Sequence, residues 1–183
     1  MNTHDHTKSL VRACLKGNAN AQRQLYDQYI QAMFNVALRI VGNRADAEDV
    51  VQEAFINVFT QLSYFKGEST IGAWIKRITV NAALNNLRKR KRTVYVEETF
   101  NDSTEEPIKE DPVFKVQDIH HAIKKLPEKC RVVLTLHLIE GYQHKEIASI
   151  LGISDSTSKS QYHRGKKILR SILKKNKNLS HVI

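Results

Sequence analysis

Apolar residues return every three or four positions along almost every structured stretch of this chain, and the pattern fails most plainly in one place. The stretch TVYVEETFNDSTEEPIKEDP carries Glu97, Glu98, Asp102, Glu105, Glu106, Glu110 and Asp111, with Pro107 and Pro112. It has no apolar period to bury, so it reads as an exposed tether. Helical blocks on either side of an acidic break predict an all-α protein of two small helical domains joined by an acidic linker. The expected boundaries are 1–92, 93–115 and 116–183. A length of 183 residues permits this, and 41% hydrophobic residues suffice for two packed cores. No internal repeat is evident.

In LYDQYIQAMFNVALRIVG, the residues Leu25, Tyr29, Met33, Val36, Ala37 and Ile40 share helical spacing, and Gly42 offers a stop. A second helix is expected from about Ala45 to Leu62. A third begins after KGEST, capped by Ser69 or Thr70, and runs into RKRKR. Helical patterning resumes from about Phe114 to Leu173.

The stretch DAEDVVQEAF gathers Asp46, Asp49 and Glu53 in a chain whose formal net charge is +10. At 100° per residue, Ala47, Val51, Ala54, Phe55, Val58 and Leu62 fill an arc of roughly 100°, while the carboxylates lie on the opposite side within about 60°. An acid–base pair needs desolvation, which outward-facing carboxylates lack. No histidine at Glu-x-x-His spacing supports a metal site either. A solvated face and a docking surface both remain.

In IGAWIKRITVNAALNNLRKR, the same arithmetic puts Ile71, Ile75, Ile78 and Ala82 on the core side. Trp74, Arg77, Asn81, Asn85 and Arg88 form a neighbouring strip about 80° wide. A ring, two guanidiniums and two amides suit exposed bases and phosphates. Trp74 can equally be a core-edge residue. The run Arg88 to Arg92 attracts phosphate.

Near the C-terminus, Gln143 to Leu151 reads as a short helix with Ile147 and Leu151 inward. Gly152 supplies a left-handed turn and Ser154 caps the next helix. There Ser158, Tyr162, Gly165, Leu169, Ile172 and Leu173 share one face. Lys159, His163, Lys167, Arg170 and Lys174 share the other, with Ser160 and Arg164 beside them. A helix with one cationic face fits a DNA major groove. The opposed faces and the turn together point to a helix-turn-helix in the C-terminal domain over an ordinary helical hairpin. Ser158 occupies an inward position that is usually aliphatic, and a buried hydroxyl there can bond the carbonyl four residues back.

Lys and Arg (29) outnumber Asp and Glu (19), which favours a polyanionic partner. Cys14 and Cys130 form no CxxC pair and read as reduced structural thiols, with neither a disulfide nor a metal. His4, His6, His120 and His121 read as structural or solvated. No membrane-length apolar run exists and MNTHDHTKSL has no apolar signal core, so a cytoplasmic, non-inserted protein is expected.

Five segments occur in a familiar order and spacing: LYDQYI, DAEDVVQEAF, FKGESTIGAWIKRITVNAALNNLRKRKR, LPEKCRVVLTLHLIEGYQHKEIASILGIS and TSKSQYHRGKK. Together they resemble the bacterial RNA polymerase sigma-70 family, in its small two-domain extracytoplasmic-function (ECF) group, over nearly the whole chain. The resemblance implies an N-terminal domain that binds core RNA polymerase and opens the −10 promoter element. It implies a C-terminal domain that reads −35 DNA. Asp46, Asp49, Gln52 and Glu53 match the segment that docks on the polymerase clamp. Lys66, Glu68 and Ser69 belong to the loop matching the one that captures a flipped −10 base. Asn81 and Asn85 stand at matching positions behind it, in the strip with Trp74, Arg77 and Arg88. Thr157, Lys159, Ser160, His163, Arg164 and Lys167 belong to the groove-facing helix. The acidic linker matches the segment that threads the polymerase's nucleic-acid channel. The family also implies an anti-sigma partner, no cofactor and no catalysis. Asn85 for the common Asp, Gln161 for Arg and Ser158 for Val bear on which promoter is read.

Two other classes compete. A stand-alone helix-turn-helix regulator would leave the acidic helix and the Trp74–Arg88 strip without a role. A carboxylate-dependent hydrolase or nuclease needs buried or metal-held acids.

Overall fold

The computed structural model describes residues 3–93 and 116–180, with side chains described over 7–90 and 118–174. All but the first residue of the expected acidic linker lies outside these ranges. The chain divides into two compact units, 1–93 and 94–183. Among the described residues there is helix and turn but no strand.

The first unit holds α1 (Thr3–Leu15), α2 (Ala19–Val41), α3 (Arg44–Gln61) and α4 (Ile71–Thr93), with a single 3-10 turn at Leu62–Tyr64. Asn18 caps α2 by accepting from the Ala21 amide at 3.0 Å. Gly42, at φ 88°, closes it in the left-handed conformation that its lack of a Cβ permits. Asn43 starts α3 at once, its Oδ1 accepting from the Asp46 amide at 2.9 Å. Of the two residues expected to cap α4, Thr70 does so, with its Oγ1 3.2 Å from the Ala73 amide.

The core joins Leu25, Val36, Ala37 and Ile40 of α2 to Ala47, Val51, Ala54 and Val58 of α3, with Ile71, Ile75, Ala82 and Ala83 of α4. The buried arc of α4 is wider than expected: Ile78 is only half-buried, while Thr79, Val80, Leu84 and Leu87 are buried. The reason is that α4 packs against both α2 and α3, so one stripe cannot serve it. A Cβ at Gly72 would lie 2.9 Å from Tyr29 Cε1, so glycine permits this close approach of α4 to α2.

The second unit holds α5 (Val116–Lys124), α6 (Glu128–Leu134), α7 (His144–Leu151) and α8 (Asp155–Ser180). Its core comprises Ala122, Ile123, Leu126, Leu134, Leu169 and Leu173. A π turn over Thr135–Ile139 extends α6, with the Glu140 amide reaching back five residues to the Thr135 carbonyl at 3.0 Å. Gly165 lets α8 press on α6, since a Cβ there would meet the Cys130 carbonyl and Leu134 Cδ1, both at 3.3 Å.

Candidate polymerase-docking and DNA-contacting surfaces

The acidic arc of α3 is not uniform. Asp46 and Glu53 are half-buried. Arg90 of α4 approaches Asp46 at 3.3 Å, and Lys89 approaches Glu53 at 3.9 Å. Asp46 also accepts from Asn43 Nδ2 at 2.6 Å. A wheel drawn on α3 alone misses these pairs, because they come from the far end of α4. Asp49 and Gln52 are exposed, and between them and Thr60 lies Ile56, 65% exposed. The open stripe is therefore Asp49–Gln52–Ile56. Ile56 was legible as the apolar residue farthest from the core arc of this helix.

Lys66, Glu68 and Ser69 are exposed in the loop before α4, and Arg77, Asn81, Asn85 and Arg88 are exposed along α4. Arg88 Nη1 donates to Asn85 Oδ1 at 3.0 Å, tying the two polar ends of the strip together. Trp74 is half-buried against Phe65, ring centroids 5.5 Å apart, which favours its core-edge reading. The open aromatic beside the loop is Tyr64, 76% exposed, which sequence reasoning passed over. Its place two residues after the last core residue of the preceding turn, Leu62, was the available signal.

In the second unit Gly152, at φ 67°, makes the tight turn between α7 and α8. The Gln143 amide donates to Glu146 Oε2 at 2.7 Å, so Gln143 precedes α7 as its cap instead of opening the helix. Ser154 Oγ accepts from the Thr157 amide at 3.0 Å, capping α8. Ile147, Ser158, Gly165, Leu169 and Leu173 are buried, whereas Leu151, expected inward, is half-buried. Thr157, Lys159, Ser160, His163, Arg164, Lys167, Arg170 and Lys174 are all exposed along α8. Lys159 pairs with Asp155 at 2.6 Å, and that contact holds the Asp155 carboxyl below its ordinary range. Cys130 donates its thiol to Gln161 Oε1 at 3.1 Å. Burial pushes the thiol up, with Arg164 partly opposing.

The Ser158 hydroxyl does not take up the bond to the carbonyl four residues back. The Ser158 amide uses that carbonyl, at 3.0 Å from Ser154 O. The hydroxyl meets His144 Nδ1 at 2.9 Å. His144 stacks on His137, centroids 4.1 Å apart, and Tyr162 stands edge-on to both. Sequence reasoning considered neither His137 nor His144. The i, i+14 relation between His144 and Ser158 crosses a turn, where helical periodicity says nothing. Burial, chiefly, and then His137 lower the His144 pKa from its ordinary value.

Among the described residues no group of three or more His, Cys, Asp or Glu could hold a metal ion. No described helix is long and apolar enough to cross a membrane.

Residues 25–93 match the Sigma-70 region 2 family and residues 116–169 match Sigma-70, region 4. The chain is 29% identical over 180 residues to the ECF RNA polymerase sigma factor SigW of Bacillus subtilis (strain 168), covering 91% of this chain and 96% of the relative. It is 31% identical over 173 residues to the ECF RNA polymerase sigma-E factor of Escherichia coli (strain K12), covering 87% and 90%. The RNA polymerase sigma factor SigZ of Bacillus subtilis is 34% identical over 153 residues, covering 81% and 85%. In fold, the chain is similar to the sigma factor RpoE of Bartonella quintana, solved in complex with the anti-sigma factor NepR. That likeness has TM-score 0.56 and 23% identity over 83% of this chain and 96% of the other. With both conserved regions matched in order and full-length relatives above 30% identity, this chain belongs to the sigma-70 family of transcription initiation factors, in its ECF group.

Proposed function

We propose that this chain is an alternative sigma factor whose three exposed surfaces divide the work of initiation. The open stripe of α3, Asp49 with Gln52 and flanked by Asp46 and Glu53, docks on basic residues of the core polymerase clamp. The loop bearing Lys66, Glu68 and Ser69 holds an extruded −10 base, and Arg77, Asn81, Asn85 and Arg88 run beside it, with Trp74 bracing the loop. Base extrusion costs a few kcal/mol, so exposed polar groups set on a rigid helix suit its capture. On α8, Thr157, Lys159, Ser160, His163, Arg164 and Lys167 enter the −35 major groove, the early residues reaching bases and the later ones phosphates. By this assignment residues 1–92 serve core and −10 binding, 93–115 link, and 116–183 serve −35 binding.

The observation that carries the reading is in the first unit. Its Arg77–Asn81–Asn85–Arg88 strip and its Asp49–Gln52–Ile56 stripe are both exposed, and a stand-alone helix-turn-helix regulator has no use for either. The chain supplies specificity, and bond chemistry is left to the polymerase, which places its work in the cytoplasm. An anti-sigma partner completes the proposal, as the family resemblance implies.

Core-polymerase binding with run-off transcription tests this. Purified chain is expected to bind core enzyme and to direct initiation from a subset of genomic promoter fragments. A chain that does neither overturns the reading, and binding to DNA as a dimer without core favours the stand-alone regulator.

A further inference from the structure

His144 opens α7 and Ser158 lies in the first turns of α8, and their side chains meet across the intervening turn, Nδ1 to Oγ at 2.9 Å. Ser158 is fully buried, so its hydroxyl has given up water and takes His144 in exchange. Stripping a buried hydroxyl of its partner costs more than the bond itself contributes, whereas replacing both partners by apolar groups is nearly neutral. The imidazole is held in turn. It stacks on His137 at 4.1 Å with only 20° between the planes, and His137 Nδ1 lies 2.8 Å from the Tyr142 carbonyl. Tyr162 of α8 closes edge-on at 5.5 Å. An aliphatic contact at this point would constrain the crossing of α7 and α8 by volume alone. A hydrogen bond constrains distance and angle as well.

We propose that His144 is a positioning residue for promoter reading: through Ser158 it sets the angle at which α8 presents Lys159, Ser160, His163 and Arg164. The inference rests on the −35 assignment of α8 made above.

A pH signature separates positioning from packing. His137 of the π turn stacks on His144, and Asp155, Lys159 and His163 of α8 act on it electrostatically, while Lys145 and Glu146 neighbour it on α7. Asp155 favours the imidazolium; burial, His137, Lys159 and His163 oppose it, and the pKa is lowered. A histidine so shifted binds fewer protons folded than unfolded. Its neutral-state contribution is complete above about pH 6.5 and is lost as the pH falls below that value.

The test is holoenzyme binding to a promoter fragment selected by the wild-type protein, compared with the same fragment carrying a scrambled −35 element. The proteins are wild type, His144→Asn, His144→Leu, and His144→Leu combined with Ser158→Val. Asparagine sets an amide atom near the place of Nδ1, so His144→Asn is expected to keep the wild-type discrimination. His144→Leu is expected to lose at least about fivefold. The apolar pair is expected to regain stability, with discrimination that no longer falls between pH 7.5 and 5.5 as the wild type's does. His163 is present in both proteins, so the comparison isolates the His144–Ser158 pair. Wild-type discrimination in His144→Leu overturns this inference and leaves the −35 assignment standing. Should that variant unfold the second unit, a wild-type pH profile as flat as the apolar pair's overturns it. A wild-type holoenzyme indifferent to the −35 element overturns the assignment and the inference together.

Discussion

Asp46 and Asp49 sit one helical turn apart on α3, yet charge reversal at each is expected to do opposite things. Asp46 accepts from Asn43 at 2.6 Å and from Arg90 at 3.3 Å, and its side chain is 27% exposed. A lysine there removes both contacts, faces Arg90 with like charge, and opposes the dipole at the start of α3. Partial exposure screens the pair, so the ionic contribution is about 1 kcal/mol, and the dipole adds a few tenths. In a unit of this size each kcal/mol lowers the melting midpoint by roughly 4–8 °C. Asp49 is exposed and has no partner among the described residues. Asp49→Lys should therefore change stability by no more than about 0.5 kcal/mol. Its effect falls on the interface: a charge-assisted contact contributes about 1.5–3 kcal/mol, and reversal adds repulsion, so core binding should weaken by about thirtyfold or more. Thermal melting of the free chain and competition for core polymerase by fluorescence anisotropy measure the two quantities separately. Asp49→Lys that binds core within about threefold of wild type refutes the docking stripe. A melting loss equal to that of Asp46→Lys refutes the distinction between paired and open carboxylates.

Tyr64 and Trp74, on either side of the KGEST loop, should separate in the same way. Tyr64→Ala is expected to leave the melt unchanged and to reduce −10 opening about tenfold, read by 2-aminopurine fluorescence, whereas Trp74→Ala should destabilise the first unit by about 2 kcal/mol through its lost packing on Phe65. Gly165→Val pushes a branched side chain against the Cys130 carbonyl and Leu134, and should destabilise the second unit by about 1–3 kcal/mol in chemical denaturation; an unchanged midpoint would refute the close α6–α8 contact. Cys14 and Cys130 are buried with thiols pushed up by burial. Alkylation at pH 8 should therefore be at least about tenfold slower in the native chain than in the unfolded one, and rapid native labelling of Cys130 would refute its enclosure by α8.

What the sequence shows of this fold is set by the reach of helical periodicity. One helix at a time, the 3.6-residue repeat assigns faces, and those faces hold: Ala47, Val51, Ala54 and Val58 are inside, Arg77, Asn81 and Asn85 are outside, and the cationic row of α8 lies opposite Gly165 and Leu169. Turn chemistry is as local, so Gly42, Gly152 and Ser154 were also legible. Where a residue's surroundings come from a different helix, the repeat is silent. Ile78 drifts half out while Val80 and Leu84 go in, because α4 has two neighbours instead of one. Asp46 and Glu53 acquire partners 44 and 36 residues away. The acidic cluster in a basic chain thus has two sources of stabilisation, an intramolecular one for its flanks and, in the proposed function, an intermolecular one for Asp49.

Ser158 shows the same limit acting on the second unit. As a single residue on a helical wheel it is a defect, a hydroxyl where an aliphatic side chain belongs, and the local remedy is a bond to its own helix. The structure satisfies it from outside, with a histidine that itself carried no pattern. A polar pair replacing an apolar contact at the α7–α8 crossing exchanges tolerance for direction: apolar surfaces accept small slides, whereas a buried hydroxyl bonded to a half-buried imidazole does not. Under the proposed −35 assignment, the angle of α8 can vary as well as the side chains on it. Position 158 lies beside Lys159 on that helix, so a change there moves the whole cationic face together.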